Sequence, residues 1–163
     1  MTVPGDIKNF LDDQGISYEV VTHREVFSSD EEARVTGETP SHVAKTLVIR
    51  TRSGDVLAVA PASERVDIHK LRDVLNDNHA RLATEDEMAR DYSQYELGAV
   101  PPIGELVGNT VVLDRQLEQA DQILFAAGTH SDSIRMSGED FLKLVRPHVA
   151  DLIEEQEGKE GFY

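Results

Sequence analysis

Three short stretches of the chain carry side chains or backbone forms suited to chemistry. The first is Ser41-His42-Val43-Ala44-Lys45-Thr46-Leu47-Val48-Ile49-Arg50, where a lysine heads an apolar run with strand character. Strand alternation puts Lys45, Leu47 and Ile49 on one face and Ala44, Thr46 and Val48 on the other. If the first face is core, the Lys45 ammonium points inward and needs a partner or an anionic ligand, because desolvating it alone is costly. The plainer reading is a lysine guarding a strand edge. The second stretch is Gly98-Ala99-Val100-Pro101-Pro102-Ile103-Gly104. Its glycines permit close approach or positive φ and its prolines fix φ, so the loop can present N–H groups rigidly to an anion or a carbonyl. The third, Ala126-Ala127-Gly128-Thr129-His130, ends an apolar strand in a glycine, a hydroxyl and an imidazole. A lone histidine at such a place is more often structural than catalytic.

Other chemistries find little support. The chain of 163 residues has no cysteine, so disulfides, thiolate metal sites and thiol nucleophiles are unavailable. There is no Gly-x-Ser-x-Gly elbow and no His-Glu-x-x-His spacing, which leaves a covalent serine route or a metal route without a motif. No apolar run approaches the ~20 residues of a membrane span, and the first residues lack a basic, signal-like region. A soluble cytoplasmic protein is expected. The formal net charge of −15 argues against a general nucleic-acid coat protein, which needs clustered cations. Only residues 42–83 are cationic on balance, with 7 basic and 5 acidic groups, and they contain Lys45.

The positioning elements follow from periodicity and punctuation. Ile7, Phe10 and Leu11 repeat at helical spacing up to Gly15. Tyr18–Thr22 reads as a strand, and Ser28 or Ser29 caps a short acidic helix ended by Gly37. Pro40 opens a short turn. Ala44–Arg50 and Asp55–Ala60 flank a hairpin loop with glycine. Asp67 caps a helix to Leu75 with Ile68, Leu71, Val74 and Leu75 on one face, and Thr84 to Glu87 is a capping-box pattern. Residues 93–108 read as one long loop, which in a small domain is often functional. Thr110–Leu113, Gln122–Ala127 and Ser133–Met136 read as strands. Ser137 caps a helix bearing Phe141, Leu144 and Val145, and Pro147 is expected to start a last helix. Hairpin-type strands mixed with helices predict a single α+β domain over residues 1–153 with a mixed, mostly antiparallel sheet, and a polar tail at 154–163.

Taken in order, Val43-Ala44-Lys45-Thr46-Leu47, Ala58-Val59-Ala60-Pro61, Arg65-Val66-Asp67, Arg81-Leu82-Ala83, Gly98-x-x-Pro101-x-x-Gly104, Val112-Leu113-Asp114 and Ala126-Ala127-Gly128 resemble a known family. They look like the YbaK-like aminoacyl-tRNA deacylases, relatives of the editing domain inserted in bacterial prolyl-tRNA synthetases. The resemblance spans roughly residues 7–151. It implies a barrel-like mixed sheet surrounded by helices, and hydrolysis of the ester joining a wrong, small amino acid to transfer RNA, that for proline above all, with no metal or organic cofactor. Lys45 matches the family's essential lysine, Gly98 and Pro101 its glycine-x-x-proline motif, and Gly128 the strand end that closes the pocket. Thr46 follows the YbaK-like form, whereas alanine-specific relatives usually have asparagine there. Ile103 stands where many relatives carry phenylalanine.

On this reading Lys45 contacts the terminal phosphate or an ester oxygen, while N–H groups from Gly98 through Ala99 to Val100 orient the aminoacyl group. Thr46, Ile103, Gly128, Thr129 and His130 complete the substrate-binding set, with His130 orienting water or adenosine. Arg65, Lys70 and Arg72 are the candidates for acceptor-stem contact. The expected partner is mischarged transfer RNA, helped by a synthetase or met only at its 3′ end; no membrane and no DNA are expected. The rival class is a module of the same fold that binds aminoacyl-tRNA or a synthetase without cleaving anything.

Overall fold

The structure is a computed structural model, and it describes residues 3–155. Most of the expected tail, residues 156–163, lies outside the described residues. Helix α1 (Gly5–Asp13) leads to β1 (Glu19–Thr22), and α2 (Ser29–Thr36) follows, capped by the Ser28 side chain and ended by Gly37 in the left-handed region. A 3-10 turn (Pro40–His42) delivers the chain into β2 (Val43–Thr51), which makes a hairpin with β3 (Gly54–Pro61). Next come α3 (Ile68–Leu75), capped by Asp67, the two-residue β4 (Arg81–Leu82) and α4 (Glu85–Asp91), which carries the full capping box between Thr84 and Glu87. Then α5 (Gly104–Val107), β5 (Thr110–Asp114), α6 (Arg115–Glu118), β6 (Gln122–Thr129), β7 (Asp132–Ser137), α7 (Gly138–Val145) and β8 (His148–Ala150) complete the domain.

The strands form one mixed sheet in the order β1-β7-β6-β2-β3-β5-β8, with β4 added to β2. The hairpin pairs and β2–β4 are antiparallel, while β2–β6, β3–β5 and β5–β8 are parallel. This is the α+β architecture expected. Both faces of the sheet are covered. Ala44 and Val48 join the main core with Ile7 and Leu11 of α1 and Phe141 of α7. The Lys45 face instead meets a smaller cluster, in which Leu47 and Ile49 pack with Ala58, Leu71 of α3, Val112 and Leu152. Lys45 therefore starts a face that is buried by α3 rather than the face of the main core.

Four elements depart from the sequence reading. Pro147 starts no helix: residues 148–150 form β8, in parallel register with Val112, Leu113 and Asp114. A proline lacks a donor but fits at the entry of an edge strand, and the waiting β5 edge decides the matter. The loop at 93–108 is interrupted by α5, and α6 follows β5; four-residue helices are too short to show periodicity. Asp114 caps α6 through Gln116 N–H, and its other oxygen accepts from Leu152 N–H at 2.8 Å, so this fully buried carboxylate also fixes the chain after β8. Val74 remains 43% exposed, and the buried contact of α3 centres on Leu71.

Gly104 opens α5 where a Cβ would fall 2.1 Å from the Asn109 carbonyl oxygen and 3.0 Å from Val111 Cγ2. The oxygen is backbone and cannot swing aside. Gly104→Ala is therefore expected to cost about 1–3 kcal/mol or more in stability, the range of an overpacked core site. Chemical denaturation measures it, and a variant as stable as the parent would refute the close packing.

Candidate functional site

A cavity of about 390 Å³ opens between the start of β2, the N-terminal part of α2, the Gly98 loop and the β6–β7 turn. That volume suits a small-molecule group and not a nucleic-acid stem. Lys45 lines it, half-buried, and its Nζ donates to the Glu64 carbonyl. Desolvation pulls the Lys45 amine below the usual lysine range, with Arg65 pushing the same way and Asp30, Glu64 and Glu154 opposing. The strand holds the amine firmly: Val43 and Ala44 pair with Leu124 and Phe125 of β6, and Lys45 sits opposite Ala60 of β3.

The glycine-rich loop faces this amine across the cavity. Gly98 takes φ +84, and Gly98 and Val100 are lining residues. Among the described residues their N–H groups have no acceptor within the chain. Ala99 is different: its N–H closes a turn on Glu96 O at 2.9 Å, so it is not available to a ligand. The loop is clamped to β6 at one residue. Glu96 N–H donates to Gly128 O at 2.8 Å and Gly128 N–H to Ala99 O at 2.9 Å. Gly128 takes φ +87, and a Cβ there would lie 2.7 Å from Pro4 Cγ and 3.1 Å from Tyr95 Cδ1. Gly128 is thus a loop anchor beneath the site, and neither it nor the buried Pro101 lines the cavity.

Thr46, Thr129 and His130 do line it. The Thr129 hydroxyl donates to Asp132 at 2.7 Å. His130 is tied in three ways: its N–H donates to Glu96 Oε1 at 2.7 Å, its Nε2 donates to Leu97 O, and its ring meets Phe27 edge-on at 4.7 Å. Phe27 is 70% exposed at the mouth. Glu25, Glu96 and His130 place ligand-capable atoms within 4.8 Å of one another.

Ile103 is brought elsewhere. It is 1% exposed in the main core and does not reach the cavity. Arg65, Lys70 and Arg72 are not among the cavity's lining residues. Lys70 pairs with Asp151 at 2.9 Å and donates to Ile153 O, Arg72 Nε donates to Ala80 O, and the Arg65 guanidinium sits 4.0 Å from Glu154.

Among the cavity residues that escaped the sequence reading of the site are Phe27, His23, Glu32 and Ser133. Glu32 was legible only as one of three acids in a first helical turn, yet it faces inward and is 4% exposed. Ser133 Oγ bonds Glu32 Oε2 on one side and lies 2.9 Å from His23 Nε2 on the other, while His23 Nδ1 donates to Arg24 O at 2.7 Å. Ser133 thus bridges a buried acid and an imidazole. Burial pushes the Glu32 carboxyl up to about 7, against the Ser133 bond that lowers it.

The fold is a small α+β domain with a cavity of about 390 Å³ that Lys45 lines. Comparison with known proteins identifies the family. The family model for the aminoacyl-tRNA editing domain matches residues 23–144, and the chain belongs to that family. It is 28% identical over 142 residues to the prolyl-tRNA editing protein ProX of Acetoanaerobium sticklandii, covering 83% of this chain and 86% of that protein. It is 27% identical over 146 residues to the multifunctional Ser/Thr-tRNA deacylase ProXp-y of Escherichia coli K12, covering 86% and 87%. A solved structure described as a candidate trans-editing enzyme for prolyl-tRNA synthetase superposes with a TM-score of 0.82 at 24% identity, over 94% of this chain and 100% of that one. Among the described residues no helix is long and apolar enough to cross a membrane.

Two outcomes follow. Ile103→Ala should cost about 2–5 kcal/mol in stability as a core truncation and leave ester selectivity unchanged; a shifted selectivity would put Ile103 at the ligand. For Glu32, the carboxyl rises from 4.5 in an ordinary setting to about 7 in the fold. Between those values the folded chain binds more protons than the unfolded one, so its contribution to stability falls as pH rises, by on the order of 3 kcal/mol in all. Glu32→Gln carries no such proton. Its stability relative to the parent should therefore climb across pH 4.5 to 7, read as a difference in thermal midpoints, and a flat difference would show that Glu32 is not so buried.

Proposed function

We propose that this domain hydrolyses the ester between a small, wrongly attached amino acid and the 3′ end of a transfer RNA, acting in trans on an RNA charged by a synthetase. One observation carries the reading: a half-buried lysine amine and two unengaged N–H groups of a glycine loop line the same small cavity. Both relatives described above are named for such substrates.

Water adds to the ester carbonyl carbon, and negative charge develops on the carbonyl oxygen. The Lys45 ammonium and the Gly98 and Val100 N–H groups are the donors that meet this charge, or the phosphate next to it. Fixed donors in a water-poor site lower the barrier because they need no reorganisation as the charge forms. The carbon–oxygen bond to the ribose then breaks, the ribose oxygen takes a proton, and free amino acid and transfer RNA leave. Phe27, exposed at the mouth and braced by His130, supplies an aromatic face on which the terminal adenine can stack; such a contact is worth about 1–3 kcal/mol per base. Recognition of the 3′ end alone also suits a chain of net charge −15 whose Lys70 on α3 is paired with Asp151.

The test is loss of label from a panel of misacylated transfer RNAs. Lys45→Ala should slow cleavage about 10²–10³-fold, the usual effect of losing one oxyanion donor. Undiminished turnover in that variant would remove Lys45 from the mechanism. Retention of the charged RNA by the parent without cleavage would favour the non-catalytic binding module instead.

A further inference from the structure

Glu32 is the one carboxylate among the residues lining the cavity, and Lys45 is the one lysine or arginine. Its two oxygens differ. Oε2 is held by Ser133. Among the described residues Oε1 has no hydrogen-bond partner, and it is not among the sealed, unpartnered side-chain atoms, so it is partly open in a residue that lines the cavity. A glutamate that is only 4% exposed yet lines the cavity with one oxygen left unbonded is placed for a ligand rather than merely buried. The Ser133 bond fixes that aim, since it leaves the group one orientation.

We propose that Glu32 Oε1 receives the α-ammonium group of the aminoacyl moiety, making Glu32 the residue that recognises the esterified acid as an amino acid. The proposal rests on the ester-hydrolase reading for its substrate. An aminoacyl ester presents a carbonyl beside a phosphate at one end and a cation one carbon away, and the cavity offers an amine and an acid to match. The proton inventory fits as well. In the free protein burial raises the carboxyl to about 7, and an adjacent ammonium favours its ionised form. Ser133 links Glu32 to His23, whose ring is held in turn by Arg24 O. Ser133 and His23 are positioning residues in this scheme, because they act through Glu32.

The experiment uses stable amides in place of the ester: 3′-deoxy-3′-amino-adenosine carrying a seryl or an alanyl group, each with a free or an N-acetylated α-amine. Binding is titrated by calorimetry for the parent and Glu32→Gln, with the thermal midpoint confirming that the variant folds. The parent should bind each free-amine probe at least about tenfold more tightly than its acetylated form, the effect of one charge-assisted hydrogen bond, and Glu32→Gln should erase that difference. Ser133→Ala should reduce it while leaving its direction. Equal binding of free and acetylated probes by the parent overturns the proposal, as does a Glu32→Gln loss that is equal for both. A loss confined to the seryl probes would assign Glu32 to the side-chain hydroxyl and overturn it too, as would no binding of any probe. Because the amides are not cleaved, the outcome is separable from turnover: an amine preference in a chain that cleaves no misacylated transfer RNA leaves the Glu32 assignment standing and removes the hydrolase reading, and cleavage without the preference does the reverse.

Discussion

Withdrawing an ammonium from water is unfavourable unless its protons find acceptors, and Lys45 has three to place. The Glu64 carbonyl takes one. Along its face the next residues, Leu47 and Ile49, are engaged with α3, and its backbone is fixed by the pairing of β2 with β3 and, one residue earlier, with β6. The amine keeps donors to spare and a lowered affinity for its proton. The rest of the domain keeps it there. The parallel join of β2 to β6, the hairpin to β3 and the small cluster under α3 each fix the strand that carries it.

The facing wall depends on the backbone more than on side chains. Gly128 can accept and donate to the Glu96–Ala99 turn only because β6 breaks its regular register between Ala126 and Thr129 and takes a positive φ there. A side chain at Gly128 would strike Pro4 and Tyr95, so the clamp also decides how α1 and the Tyr95 region pack beneath the site. This explains why Gly98 and Pro101 belong to one motif while only Gly98 touches the cavity. Pro101 and Ile103 are buried behind the loop and set its path. A motif residue can matter by stiffness alone.

The frame was legible in the sequence where short-range rules dominate. Caps at Ser28, Asp67, Thr84 and Ser137 marked helix starts, and Gly37 marked a stop, because each satisfies a local hydrogen bond or a local φ. What failed were elements decided at long range. Residues 148–150 become a strand because β5 offers an edge, which nothing in Pro147-His148-Val149-Ala150 announces. At the site, Lys45, Gly98, Thr46, Thr129 and His130 were found as parts of motifs, and the cavity does unite them. Glu32 and Ser133 were not found. In sequence Glu32 is one acid in a run of three, and only the packing of α2 against the sheet turns it inward toward a serine 101 positions away.

The charge distribution gains meaning from that inward turn. A surface this acidic repels the phosphate backbone, and on α3 the Lys70 charge is paired with Asp151 while Arg72 is held at Ala80 O. Long-range steering toward nucleic acid is therefore not what the surface provides. Inside the cavity the balance is different: one amine, one acid of adjustable protonation and an otherwise largely apolar lining, where each interaction is less screened than at the surface. Discrimination can then reside almost wholly in the aminoacyl end. Repulsion along the stem would shorten the stay of any RNA whose 3′ group does not fit, since only a fitting group gains the contacts that offset it.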